Sequence, residues 1–187
     1  LTGEIDNPSL LGNKSGHDYT GQLKNWSLQK VIELEKDGLC GFIFKSKSPS
    51  SGMERVKVYD HNNVPQAKGV GIFASVFMNH FPLIPVEEEG RLHDPGLREN
   101  FIENVFVYKR WRDLLHDFSV SGLVNFHTAH KYLLLAHNQK NYRALGRLIA
   151  EAGSVDKNKL IQEYQFILMD TMRLKTTTKK HVNVLMH

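Results

Sequence analysis

The spacing of hydrophobic positions changes along the chain. Leu23, Trp26, Lys30 and Leu34 form one mostly apolar stripe at helical spacing, with Thr20 as its N-cap and Gly38 just past its end. Residues 41–44 (GFIF) are a short apolar run, the pattern of a buried strand, and residues 55–59 (RVKVY) alternate as a half-buried strand should. Gly69 and Gly71, followed by Ile72, Phe73, Val76 and Phe77, predict a glycine-rich turn that opens a helix. Residues 83–86 predict a further short strand, and EEEGRL follows it as an acidic turn. Residues 1–19 are rich in Gly, Asn, Asp, Pro and Ser and read as loop. This alternation of helix and strand predicts an α/β fold, part of a Rossmann-like layer.

Beyond Pro95 the period becomes helical throughout. Residues 97–116, 123–136, 142–152 and 160–174 each predict a helix, with polar or glycine-containing turns between them. The chain thus divides into an α/β part, residues 1–107, and an all-α part, residues 108–187, with the boundary inside or beside the first long helix. It opens at Leu1 in a loop-like stretch and stops at His187 inside VNVLMH, which reads as an excerpt from a longer protein.

Composition adds limits. The 187 residues are 41% hydrophobic and 24% charged, as expected of a core-forming protein. No apolar run of about 18 residues is present to span a membrane. The single cysteine, Cys40, has no partner for an internal disulfide and suits a reducing cytoplasm. A net charge of +4 and a pI near 9.1 permit an anionic partner without specifying one.

Candidate chemistry begins at SKSPSSG, residues 46–52, directly after the 41–44 strand. A loop there lies at the strand's carboxyl end, where α/β sheets place ligands. Ser48, Ser50 and Ser51 offer hydroxyls, Pro49 stiffens the loop, and Gly52 lets it turn. Such a loop suits an anion, a nucleobase or a reacting polar atom. It equally suits a turn whose serines satisfy their own backbone. In EEEGRL, Glu87, Glu88 and Glu89 read either as a solvated acidic turn or as carboxylates that fix Arg91 or orient a substrate.

GFIFKSKSPSSGMERVKVYD, GVGIFA and FPLIPVEEEGRLHDPGLRENFIE together resemble the carboxyl-terminal part of the thiouracil desulfidase family, over about residues 1–107. The resemblance implies a [4Fe-4S] cluster as cofactor. On that resemblance, a cluster iron not tied to protein would take the sulfur while water would replace it at the base carbon. It puts the catalytic proton relay on Ser48 and a cluster-ligand position on Ser51. The family loop reads S-P-S-C-G, so Ser51 stands where a thiolate is expected. Three explanations stay open. Ser51 coordinates iron through oxygen, the position is left to another ligand, or the cluster and its chemistry are lost. Cys40 precedes the strand that the loop follows, about 15 Å away at strand rise, and reads as a buried structural cysteine.

In the helical part, KRWRD gathers Lys109, Arg110, Trp111 and Arg112. NFHTAHKYLLLAHN carries His127, His130 and His137 within an arc of about 80° on a continuous helix, bordered by Lys131. Tyr142, Arg143, Arg147, Lys179 and Lys180 follow. The histidines read as a hydrogen-bonded seam, as an RNA-facing surface together with these cations, or as metal ligands. Trp111 and Tyr142 read as base-stacking rings, and Trp111 equally as core. FHTAHKYLLLAHNQKNYRALGRLIAEAG and TKKHVNVLMH resemble the YbgA-like domain. A desulfidase-like part joined to this domain resembles bacterial desulfidases that act on 4-thiouridine in transfer RNA. The resemblance implies a cytoplasmic protein whose partner is tRNA or a thiolated nucleobase. The competing class is a non-catalytic RNA-binding or interaction protein without the cluster.

Overall fold

The structure, a computed structural model, describes residues 1–186. It divides into two compact units, Leu1–His93 and Asp94–His187. The first is α/β and the second is helical, the fold class that the hydrophobic periodicities predict.

In the first unit, β1 (Thr2–Gly3), β2 (Pro8–Ser9), β4 (Val56–Tyr59) and β5 (Pro65–Gly69) form a mixed sheet in the order β2-β1-β4-β5. Hairpin β4–β5 turns at Asp60, whose Oδ1 accepts the amides of Asn62 and Val64 at 2.9 Å each. A separate parallel pair joins β3 (Phe42–Phe44) to β6 (Val86–Glu88), with Ile43 opposite Glu87. The strand predicted at residues 83–86 therefore lies later, at Val86–Glu88, and the acidic triplet enters it. Helices α1 (Thr20–Glu35) and α2 (Ile72–His80) pack on each other. Phe42, Phe44, Phe73 and Phe77 form one aromatic cluster, with the Phe42 and Phe77 centroids 4.3 Å apart.

Two local expectations change. Tyr19, not Thr20, occupies the N-cap position of α1, and the Thr20 hydroxyl accepts the Leu10 amide at 2.7 Å. The buried positions of α1 are Ser27 and Val31, while Trp26 is half-exposed against Phe73. Ser27 fits inside because its hydroxyl donates to the Leu23 carbonyl at 2.7 Å.

The second unit begins at Asp94, whose carboxylate accepts the Leu97 amide at 3.0 Å and caps α3 (Pro95–His116). The predicted boundary near residue 108 falls inside this helix. The unit continues through α4 (Val120–Ala129), α5 (Lys131–His137), α6 (Gln139–Ala150), α7 (Lys157–Arg173) and α8 (Thr178–Leu185). Its core holds Val107, Trp111, Leu123, Leu134, Leu145, Leu160, Tyr164, Leu168 and Met172. The predicted helix 123–136 is two helices, because the chain breaks at His130, which ends α4 and precedes α5.

Candidate functional site

The residue 48–52 loop leaves the carboxyl end of β3, beside the parallel end of β6. The acidic triplet anchors it from both sides. Glu89 accepts the Ser46 amide at 2.7 Å and lies 3.2 Å from the Ser46 hydroxyl, before the loop. Glu88, only 2% exposed, accepts the Met53 and Glu54 amides at 2.9 and 3.3 Å, after it. Glu87 receives Arg91 Nε at 2.6 Å, and the same guanidinium reaches Glu54 at 2.6 Å. Lys45 donates to Glu89 and, with the Ser46 amide, holds its carboxyl down at about 2. The triplet is thus a scaffold for the loop rather than a solvated turn, and the pairing of Arg91 with Glu87 matches one of its two sequence readings.

The loop also closes the start of α2. The amides of Gly71, Ile72 and Phe73 donate to the carbonyls of Gly52, Pro49 and Ser50 at 2.8, 3.2 and 2.8 Å. Helix-start N–H groups, which usually lack partners, are thereby satisfied by the loop. The approach requires glycine. A Cβ on Gly71 would lie 2.5 Å from the Ser50 carbonyl carbon and oxygen, and one on Gly52 would lie 2.8 Å from the Ser48 carbonyl oxygen. Lys47 and Arg55, which bracket the segment, have φ of 58° and 54°. Left-handed backbone at a residue with a side chain costs about 1–2 kcal/mol and persists where the surroundings hold it.

Within the loop, Ser48 Oγ accepts the Ser50 and Ser51 amides at 3.3 and 3.2 Å and lies 3.0 Å from Ser50 Oγ. With two amides directed at its oxygen, the Ser48 hydroxyl keeps its own proton for donation, and Ser50 Oγ is close enough to share a hydrogen bond with it in either direction. These bonds show the turn reading of the loop, in which a serine hydroxyl satisfies the loop's own backbone amides. Sequence reading named Ser50 for its hydroxyl but did not pair it with Ser48. Ser51 is half-buried, and no protein hydrogen bond engages its hydroxyl among the described residues.

Residues 2–89 match the family model described as 2-thiouracil desulfurase. The match lies within the first unit. Residues 131–187 match the model described as a protein of unknown function, DUF1722, the YbgA-like domain. No curated protein and no solved structure matches the chain significantly.

The cofactor that the resemblance to thiouracil desulfidases implies does not fit the donor set at this loop. Ser51 offers an oxygen, whereas iron–sulfur clusters are held by thiolates. Cys40 lies before β3 while the loop follows it, about 10–15 Å away at strand rise. Cys40 is half-buried, not buried as expected, with its thiol 3.5 Å from the Gly38 carbonyl at the exposed end of α1. Among the described residues no group of three or more His, Cys, Asp or Glu is placed to hold a metal ion.

In the helical unit, Trp111 is core. It stacks on Tyr164 at 5.2 Å, and its Nε1 donates to Gln165 at 2.8 Å. His127 Nδ1 lies 3.0 Å from the Tyr164 hydroxyl, and its ring stacks on Tyr142 at 4.9 Å. His130 is buried, with Nδ1 2.7 Å from the Phe126 carbonyl and Nε2 3.5 Å from Arg110. Burial lowers the pKa of both rings, His127 further through the positive charge of His130. His137 is also buried, but its partners are the Leu174 carbonyl at 2.7 Å and Glu103 at 3.4 Å. The three histidines do not form one seam. The break at His130 turns His137 toward different neighbours, and helical-wheel angles do not carry across it.

The cations stay outside. Lys109 pairs with Asp113, Arg110 lies 5.9 Å over Phe106, and Arg112 is half-buried. Lys131, Arg143, Arg147, Lys179 and Lys180 are exposed. The second unit holds 14 Lys and Arg against nine Asp and Glu, so the chain's positive excess resides there.

Proposed function

We propose that the protein is a desulfidase that removes sulfur from a thiolated uracil base, carried as 4-thiouridine in transfer RNA, in the cytoplasm. The observation that carries this reading is the Ser48 hydroxyl, held by two amides inside a doubly anchored loop of a unit that matches the 2-thiouracil desulfurase model. Exchange of C=S for C=O consumes water and releases sulfide. Ser48 supplies a proton during that exchange, and Ser50 restores it. Glu88 and Glu89 act as positioning residues that keep the loop in register. A base within folded RNA must leave its stack to reach such a loop. The [4Fe-4S] cluster that the resemblance implies is assigned no step here, since Ser51 supplies no thiolate.

A second reading is favoured by Ser51 itself. A hydroxyl at the ligand position suits a protein that binds RNA without converting it. The two are separated by incubating the protein, after anaerobic iron and sulfide treatment, with free 2-thiouracil and with thiolated tRNA. Sulfide release from either supports the desulfidase. Binding of tRNA without sulfide release favours the binding protein.

A further inference from the structure

The helical unit contains a groove of about 940 Å³ lined by α5, the start of α6, the turn after α7 and α8. Its walls carry Lys131, Lys140, Lys175 and Lys180, and among the described residues no carboxylate lines it. Lys175 is engaged by Asp94 at 3.2 Å. Lys131, Lys140 and Lys180 enter no ion pair among the described residues. His137, which also lines the groove, faces Glu103 at 3.4 Å. The groove is therefore a positive concavity in which three of four lysines are uncompensated among the described residues.

Its remaining surface is not that of a simple anion trap. Tyr132 is 56% exposed at the rim, with Lys131 Nζ 5.6 Å from its ring. Leu135, Ala136, Leu174 and Val184 give an apolar floor, and Asn138, Gln139 and Asn183 add amides. A duplex would present phosphates but keep its bases stacked, leaving the ring and the apolar floor without a partner. An unpaired strand presents both phosphates and base faces, the pairing of a cationic track with an aromatic platform that single-strand binders use. We infer that this groove holds a short unpaired RNA segment, with Lys131, Lys140 and Lys180 on phosphates and one base stacked on Tyr132.

The inference rests on the RNA reading above but not on sulfur removal. It also selects among the cations read from sequence. Lys131 and Lys180 belong to the groove, Lys140 and Tyr132 join them, and Lys109, paired with Asp113, does not.

The test uses the whole chain with unmodified oligouridylate and unmodified tRNA, which carry no sulfur. Replacing Lys131, Lys140 and Lys180 together by Ala should flatten the dependence of log affinity on log salt by about 2, at roughly 0.7 per single-strand phosphate contact. Tyr132→Ala should weaken oligouridylate binding roughly 5- to 100-fold, while Tyr132→Phe, which keeps the ring face, should not. A photoreactive uridine should cross-link to Tyr132 in the parent. These side chains are exposed, so the variants should unfold at the parent temperature. Undiminished binding in the triple variant, with the parent binding RNA, would overturn the groove and leave the RNA reading intact. Failure of the parent to bind either RNA would overturn both, leaving action on a free thiolated base untouched. Equal binding of poly-glutamate and oligouridylate, unaffected by Tyr132→Ala, would overturn the base-stacking assignment in favour of an acidic protein partner.

Discussion

Gly71→Ala tests whether the residue 48–52 loop seats on α2. At φ −66° and ψ 146° the backbone of Gly71 suits any L-residue. Without a close neighbour, alanine there would stabilise by about 0.4–1 kcal/mol by restricting the unfolded chain. The loop reverses that sign. The new Cβ would sit 2.5 Å from the Ser50 carbonyl carbon and 2.7 Å from the Ser51 nitrogen, and backbone atoms cannot swing aside as a flexible side chain can. Overpacking of this kind costs about 1–3 kcal/mol, so after the entropic gain the net loss should be about 1 kcal/mol. For a unit of this size that lowers the unfolding midpoint by about 4–8 °C. Calorimetry reads the midpoint. Amide exchange at Phe73, whose N–H donates to Ser50 at 2.8 Å, reads the contact directly. Gly21→Ala is the control. It lies in α1 with nothing within 4 Å of a new Cβ. It should gain about 0.5–1 kcal/mol. A Gly71→Ala protein as stable as its parent, with Phe73 exchange unchanged, would refute the seating.

Glu88→Ala should destabilise the first unit by about 2–3 kcal/mol in urea unfolding, because the Met53 and Glu54 amides lose a buried acceptor. An unchanged midpoint would show that the anchor is not needed. His127 and His130 have lowered pKa values in the fold, so both are neutral there while the unfolded chain takes up protons first. Their contribution to stability is complete above about pH 6.5 and falls as the pH drops toward the depressed folded values. A helical unit whose stability is flat between pH 7 and 5, or unaltered in slope by His130→Gln, would contradict this. Glu89 adds a second acid limb, complete above the ordinary carboxylate value and lost as pH falls through about 2. Glu89→Gln should remove that limb from the acid-unfolding curve. Ser51→Cys should raise iron retained after anaerobic treatment, read by absorbance and iron analysis, because thiolate is the softer ligand. Equal iron in both proteins would show that position 51 does not face a metal.

The α/β-then-helical order was legible because apolar periods mark β3, β4, α2 and most of the helical unit. What escaped detection follows from how those cues work. Strand β6 runs through Val86, Glu87 and Glu88, and burying two carboxylates in a strand gives no apolar alternation to read. Their partners, Arg91 and the Met53 and Glu54 amides, become visible only in three dimensions. Strand β5, PQAKG, is exposed until Gly69 and lies at the sheet's edge, so its sequence carries no hydrophobic signal. The break at His130 has neither Gly nor Pro to announce it. The serine loop was located from sequence, and its place at the end of β3 followed from the strand before it. The inward bonds of Ser48, and the role of Ser50, needed coordinates. Trp111 was ambiguous between core and surface because a lone indole among cations fits either, and its burial against Tyr164 resolves it.

The most direct test of the central claim is conversion of thiolated tRNA, followed by mass spectrometry of its nucleosides, with the parent and Ser48→Ala side by side. The account predicts replacement of sulfur by oxygen in the parent. In Ser48→Ala it predicts a fall of about 100-fold or more, the range of a lost proton donor, with tRNA binding retained. Equal conversion by the two proteins would contradict the role given to Ser48, and no conversion by the parent would contradict the desulfidase reading itself.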